Sequence, residues 1–154
     1  RTPVKELEAL RAKTHTFEPM VFLPDTPNPL TGVKAELVEL RAEFEPESAS
    51  VIAFAVRGAP IVYDAAKQEL MVNNHSAPAP LRRGQQRLTI YCDRMGIEVF
   101  ASDGLTYVPM PFIPNATNLS LAVVAKRHGT RITRLEVHEL KSAWDKETNG
   151  DGNQ

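Results

Sequence analysis

Polar and apolar positions alternate through most of this chain. In Glu36 to Phe44 the residues Val38, Leu40, Ala42 and Phe44 fall on one face and Glu39, Arg41 and Glu43 on the other, which predicts a half-buried antiparallel strand. Ser50 to Arg57 is apolar on both faces and belongs in the middle of a sheet. Ile61 to Tyr63 and Glu69 to Val72 flank Asp64 to Lys67 as a hairpin, and Asn73 to Gln86, with Arg82 and Arg83, reads as a long polar loop. Leu88, Ile90 and Cys92 then alternate with Thr89, Tyr91 and Asp93. After a Met95-Gly96 turn, Ile97 to Ser102 and Leu105 to Met110 flank Asp103-Gly104, a strong hairpin signal. Leu119 to Ala125 and Arg131 to Leu140 read as a further pair around Arg127-His128-Gly129. In the second of these Leu135 and Val137 share a face that Ile132 and Leu140 do not, which predicts a bulge.

Toward the N-terminus the pattern changes. Thr14 to Leu23 is a strand interrupted at Pro19, and Pro24 to Gly32 is a loop. Before them, Thr2 and Pro3 suit an N-cap and first helical position, and Val4, Leu7 and Leu10 recur on one face, predicting a short helix over Pro3 to Arg11. So short a helix with a single apolar stripe must dock on this domain or a neighbour. The division expected is a linker helix over 1–12, a β-domain over 13–144 and a disordered polar tail over 145–154. Twelve prolines, scattered along 154 residues, leave segments that suit strands better than helices. Strands at such spacing predict an all-β fold, a two-sheet antiparallel β-sandwich, with an up-and-down barrel as second choice.

Composition narrows the function classes. Eighteen basic against nineteen acidic residues give a formal charge of -1, which argues against nucleic acid as a partner. The longest apolar runs, Val51 to Val56 and Leu121 to Ala125, are far short of a bilayer span, and Arg1 opens no apolar signal core. An initial Arg suggests processing or a piece of a longer protein. The lone Cys92 cannot form an internal disulfide, and its place beside Leu88 and Ile90 makes it a buried, inert thiol. His15, His75, His128 and His138 lack ligand spacing, so neither a metal site nor a cofactor is expected. Asp93 and Glu98 flank a tight turn and could be proposed as a carboxylate pair for sugar hydrolysis, but charges beside hairpins are usually solvated or cross-strand partners. Three glycosylation sequons begin at Asn74, Asn115 and Asn118. Tyr107 and Trp144, with Tyr63 and Tyr91, offer sugar-stacking faces, against the commoner use of such rings in packing.

The stretch Leu88-Thr-Ile-Tyr-Cys-Asp93-Arg94-Met-Gly-Ile97-Glu98-Val99-Phe100-Ala-Ser-Asp103-Gly104 resembles the signature of the C-terminal domain of glycoside hydrolase family 32, the levanases, inulinases and invertases. Val62-Tyr63-Asp64 with Lys67-Gln68-Glu69-Leu70, and Leu135 through Trp144, extend the likeness. Pro3 to Arg11 is similar to the linker that follows the catalytic domain in those enzymes.

The resemblance implies a concanavalin A-like sandwich behind a five-bladed propeller. There an aspartate nucleophile and a glutamate acid/base hydrolyse β-fructofuranosides with retention. The family's Asn-Asp-Pro-Asn, Arg-Asp-Pro and Glu-Cys motifs do not occur in this chain, so no catalytic residue carries over to it. On this reading the chain alone is not an enzyme and the parent is a secreted or periplasmic fructosidase. Two roles follow for the sandwich. It is a scaffold packed on the propeller, with Val4, Leu7 and Leu10 bordering the contact, or a lectin-like module binding fructan through Tyr107 or Trp144. An apolar patch near the N-terminal stripe favours the first, a groove of exposed aromatics the second.

Overall fold

The computed structural model describes residues 5–141, with side chains from Glu8 onward. Val4, the side chain of Leu7, Trp144 and the tail over 145–154 lie outside the described residues. Lys5–Leu10 forms a 3-10 turn, and twelve strands follow: β1 (Arg11–Phe17), β2 (Met20–Phe22), β3 (Val38–Pro46), β4 (Val51–Val56), β5 (Ala59–Asp64), β6 (Glu69–Val72), β7 (His75–Pro78), β8 (Gln86–Cys92), β9 (Gly96–Ala101), β10 (Thr106–Pro111), β11 (Leu121–Arg127) and β12 (Thr130–Leu140). They make two antiparallel sheets. The larger has seven strands in the order β1-β12-β3-β8-β9-β10, with β2 also on β12, and the smaller has five in the order β11-β4-β5-β6-β7.

The predicted sandwich is therefore the fold, and its inner layer comes from the residues whose alternation announced it. Val38, Leu40, Ala42 and Phe44 of β3 are fully buried. The Phe44 ring meets Phe54 at 6.3 Å and Tyr63 at 5.8 Å, joining the large sheet to the small one with the tilted and edge-on geometry that aromatic quadrupoles favour. Apolar on both faces, β4 sits between β11 and β5 as expected. The bulge read in β12 is present as a register shift between Ile132 and Arg134.

Three expectations need correction. The N-terminal helix over Pro3 to Arg11 is only a 3-10 turn, and Arg11 is already the first residue of β1, opposite Leu140. A stretch this short gains little from its own hydrogen bonds. Here the Leu10 carbonyl instead accepts from the N–H of Lys141 at 2.8 Å, tying the segment to the end of β12. The loop over Asn73 to Gln86 contains β7, whose proline is accommodated because β7 is an edge strand. Finally, β11 and β12 do not pair: β11 lies on β4 in the small sheet and β12 between β1 and β3 in the large one. A two-residue link, His128 at φ 58° followed by Gly129, serves a crossing between layers as well as a hairpin, and alternation does not distinguish them.

Candidate functional site

The large sheet turns one face to the core and the other outward, and the outward face is where polar side chains concentrate. Register places Pro109, Glu98, Tyr91, Glu39, His138 and Thr14 in one row across β10, β9, β8, β3, β12 and β1. The next row is Tyr107, Phe100, Thr89, Arg41, Glu136 and Thr16.

Glu39, assigned by alternation to the polar face, is on that face but 0% exposed. Arg11 grips it with both ends of its fork, Nε to Oε1 at 2.8 Å and a terminal nitrogen to Oε2 at 2.7 Å, and Arg41 Nε adds a third bond at 2.6 Å. Burial alone would raise the Glu39 pKa, but the hydrogen bonds and charges of the two arginines outweigh it and hold the carboxyl below its ordinary value. Beside it His138 is 3% exposed, with Nδ1 2.8 Å from Thr14 Oγ1 and Nε2 3.1 Å from Glu136. Its pKa is lowered, by burial first and by the Arg11 charge second. Arg134 forks onto Glu136 at 3.0 and 3.1 Å, and that bond is the main reason the Glu136 carboxyl also titrates low. The Tyr91 hydroxyl is buried beside Arg41 and Glu39 with no well-aligned hydrogen bond among the described residues, and its pKa is raised by that burial first and by the Glu39 charge second.

Asp93 and Glu98 both have structural employment. Asp93 Oδ1 accepts the N–H groups of Met95 and Gly96, each at 2.8 Å, and so shapes the turn. Glu98 accepts the Tyr107 hydroxyl at 2.6 Å. The Tyr107 ring lies 4.8 Å from that of Phe100, which meets Tyr91 edge-on at 6.2 Å. Cys92 is 1% exposed on the inward stripe, and burial pushes its thiol up to about 11, away from nucleophilic use. His15 pairs with Glu139 at 2.6 Å, while His75 and His128 are exposed.

At one end of the sandwich the start of β3, the end of β12, the β8–β9 turn and the N-terminal segment converge. They surround a cavity of about 410 Å³ whose apolar wall is Leu10, Leu37, Met95 and Leu140, with Tyr91 and Glu98 on its inner side. Met95 is 76% exposed. A second cavity of about 470 Å³ shares Tyr91, Asp93, Met95 and Glu98 and continues to Pro109 and Pro111. The structure thus brings Leu10, Asp93 and Glu98 to one end of the molecule, with Tyr107 hydrogen-bonded to Glu98.

Sequence reasoning missed Arg11, Glu39, Arg41 and His138. A signal existed in the matching charge alternation of Glu39-Arg41-Glu43 and Arg134-Glu136-His138, which fits two neighbouring strands pairing face to face.

Over residues 6–139 the chain matches the family described as Glycosyl hydrolases family 32 C terminal. It is 29% identical over 167 residues to a levanase of Bacillus subtilis (strain 168), covering 94% of this chain and 25% of the levanase. It is 26% identical over 99 residues to an extracellular exo-inulinase of Aspergillus ficuum, covering 54% of this chain and 18% of that protein. The chain therefore spans about a quarter or less of these relatives. Among solved structures, an exo-inulinase from Aspergillus awamori superposes with a TM-score of 0.73 at 20% identity, covering 90% of this chain and 31% of that one. Fructan 1-exohydrolase IIa from Cichorium intybus gives 0.72 at 15%, covering 92% and 38%.

Proposed function

Since the chain belongs to the C-terminal domain family of the family 32 glycosyl hydrolases, we propose that it is the non-catalytic scaffold domain of a fructosidase. On this reading it packs on and supports a catalytic domain that precedes it in the parent polypeptide. The parent's substrates would be β-fructofuranosides of the kind the levanase and exo-inulinase names indicate, and its place outside the cytoplasm.

The observation that carries this reading is the apolar cavity walled by Leu10, Leu37, Met95 and Leu140, open beside the point where the chain enters the sandwich. A surface methionine as exposed as Met95 next to such a wall is what an isolated half of an interdomain contact presents, since such contacts typically bury ~600 to 1,500 Å². Leu10 borders this wall, the part of the stripe Val4, Leu7 and Leu10 that the described side chains include. Fructan binding through Tyr107 is the weaker reading, because one face of its ring is against Phe100 and its hydroxyl is engaged by Glu98.

The test is to produce the catalytic domain and this chain as separate polypeptides and measure their association by calorimetry. Saturable binding weakened at least about tenfold by Leu37→Asp or Met95→Asp, a loss of roughly 1.4 kcal/mol, is the expected result. Undetectable association, together with saturable levan or inulin binding lost in Tyr107→Ala, would replace the scaffold by the lectin. The chain alone is expected to release no fructose from sucrose, levan or inulin. Turnover that disappears on mutating Asp93 or Glu98 would contradict that.

A further inference from the structure

Arg57 and Gly58 form the two-residue turn between β4 and β5, across which Val56 pairs with Ala59. Both have positive φ, 51° and 90°. Such turns favour Asn-Gly or Gly-Gly, and a long charged residue in the left-handed region is uncommon. A charged hairpin tip ordinarily points into water, yet Arg57 is only 3% exposed. Its Nε donates to the Asn118 carbonyl at 2.9 Å, and its two terminal nitrogens donate to the carbonyls of Glu36 at 2.9 Å and Asn115 at 3.0 Å.

Three carbonyls orient the guanidinium but do not neutralise it. Among the described residues no carboxylate lies within 4.0 Å of Arg57. A guanidinium carries five N–H donors, so two remain after these three bonds. A buried charge is ordinarily paired with an opposite one. Arg57 instead lines a cavity of about 370 Å³, with Glu36 and Arg94 at its polar side and Pro114, Ala116 and Leu119 as apolar walls. Arg94 Nε and Glu36 bond at 2.7 Å, so the nearest carboxylate on the cavity wall is already engaged by another guanidinium.

We propose that this cavity is a binding pocket for a single carboxylate group, with Arg57 as its buried anchor. The single charge of Arg57, with no carboxylate within 4.0 Å among the described residues, fits a monoanion. The two N–H groups left on the planar guanidinium match the two oxygens of a carboxylate, and one unpaired charge suits a carboxylate better than a dianionic phosphate. The apolar walls lower the local dielectric and strengthen the attraction. The carboxylate has two sources, a free small acid or an acidic side chain of the preceding catalytic domain. The second rests on the scaffold reading and on Arg94, which also lines the apolar cavity at the entry end.

The test is a titration of the 154-residue chain with sodium acetate, against sodium chloride at matched ionic strength, following the Arg57 Nε–H resonance by NMR. A saturable shift with acetate alone is expected. It should vanish in Ala116→Glu, which tethers a carboxylate in the pocket, and persist in Ala116→Gln. A response to acetate no different from that to chloride overturns the proposal, and saturation unchanged in Ala116→Glu does so too, by placing the site elsewhere. Repeating the titration on the parent polypeptide separates the sources. An Arg57 resonance deaf to acetate there identifies the neighbouring domain as the donor. Saturation retained there leaves the pocket standing with a free ligand, whatever the fate of the docking surface.

Discussion

On β3 one outward residue is buried as completely as the inward stripe, and by the opposite chemistry. Val38, Leu40, Ala42 and Phe44 face the small sheet, while Glu39 between two of them faces outward and is equally excluded from water. The inward face is held by apolar contact that no single partner determines. The outward face is held by geometry: three charge-assisted bonds from Arg11 and Arg41 must all be in place for the buried carboxylate to be tolerated. The contrast separates two kinds of burial. One follows from the residue's own character, the other from neighbours far away in sequence.

The first way to break the comparison is on the inward side. Phe44→Ala removes the ring that touches both Phe54 and Tyr63 and should cost about 3 to 5 kcal/mol, measured as a lower urea midpoint with an unchanged slope. Glu39→Gln keeps the volume on the outward side but leaves Arg11 and Arg41 without their charge partner. It should cost about 3 kcal/mol, at the lower end for a broken buried pair because both arginines are partly exposed. If Glu39→Gln proves neutral, the outward face is ornament and the comparison fails. Returning to the inward stripe, Cys92→Ser buries a hydroxyl where a thiol sat and should cost about 1 to 3 kcal/mol. Rapid modification of the native thiol by a bulky reagent would show that the stripe is open.

The gentlest probe is pH, which acts on the outward face and spares the inward one. His138, Glu39 and Glu136 all have folded pKa values below their ordinary ones, so on acidification the unfolded chain takes up protons before the folded one does. Stability should start to fall near pH 6.5 because of His138, and fall further below about pH 4.5 as the two carboxylates join. His138→Gln should remove the upper part of that slope and leave the lower part. A wild-type stability flat from pH 7 to 5 would mean that His138 is not held neutral by its burial.

How much was legible in the sequence divides along the same line. The inward stripes of β3, β4, β8 and β9, the Pro19 break, the Asp103-Gly104 turn and the β12 bulge could be read because each is a local pattern with a local cause. Glu39 could not, because its burial depends on Arg11, 28 positions away, and on a strand order that the pattern leaves open. The same holds for β11 and β12: each displays its inward stripe, but the stripe does not say which sheet it joins. Arg57 is the extreme case, a charge at a hairpin tip folded under a loop 58 to 61 residues further along.

The β1–β12 pair has a mechanical consequence. Leu10 and Lys141, bonded across the seam, are neighbours in space, and β1 runs antiparallel to β12 from there. A force separating those two points therefore acts at right angles to the strands and loads one rung at a time, as a zip is opened, instead of shearing the whole ladder at once. The first side-chain contact in its way is the fork of Arg11 on Glu39. In a pulling experiment that clamp should set the height of the initial rupture, and Glu39→Gln should let β1 peel away at lower force while the remaining strands keep their resistance.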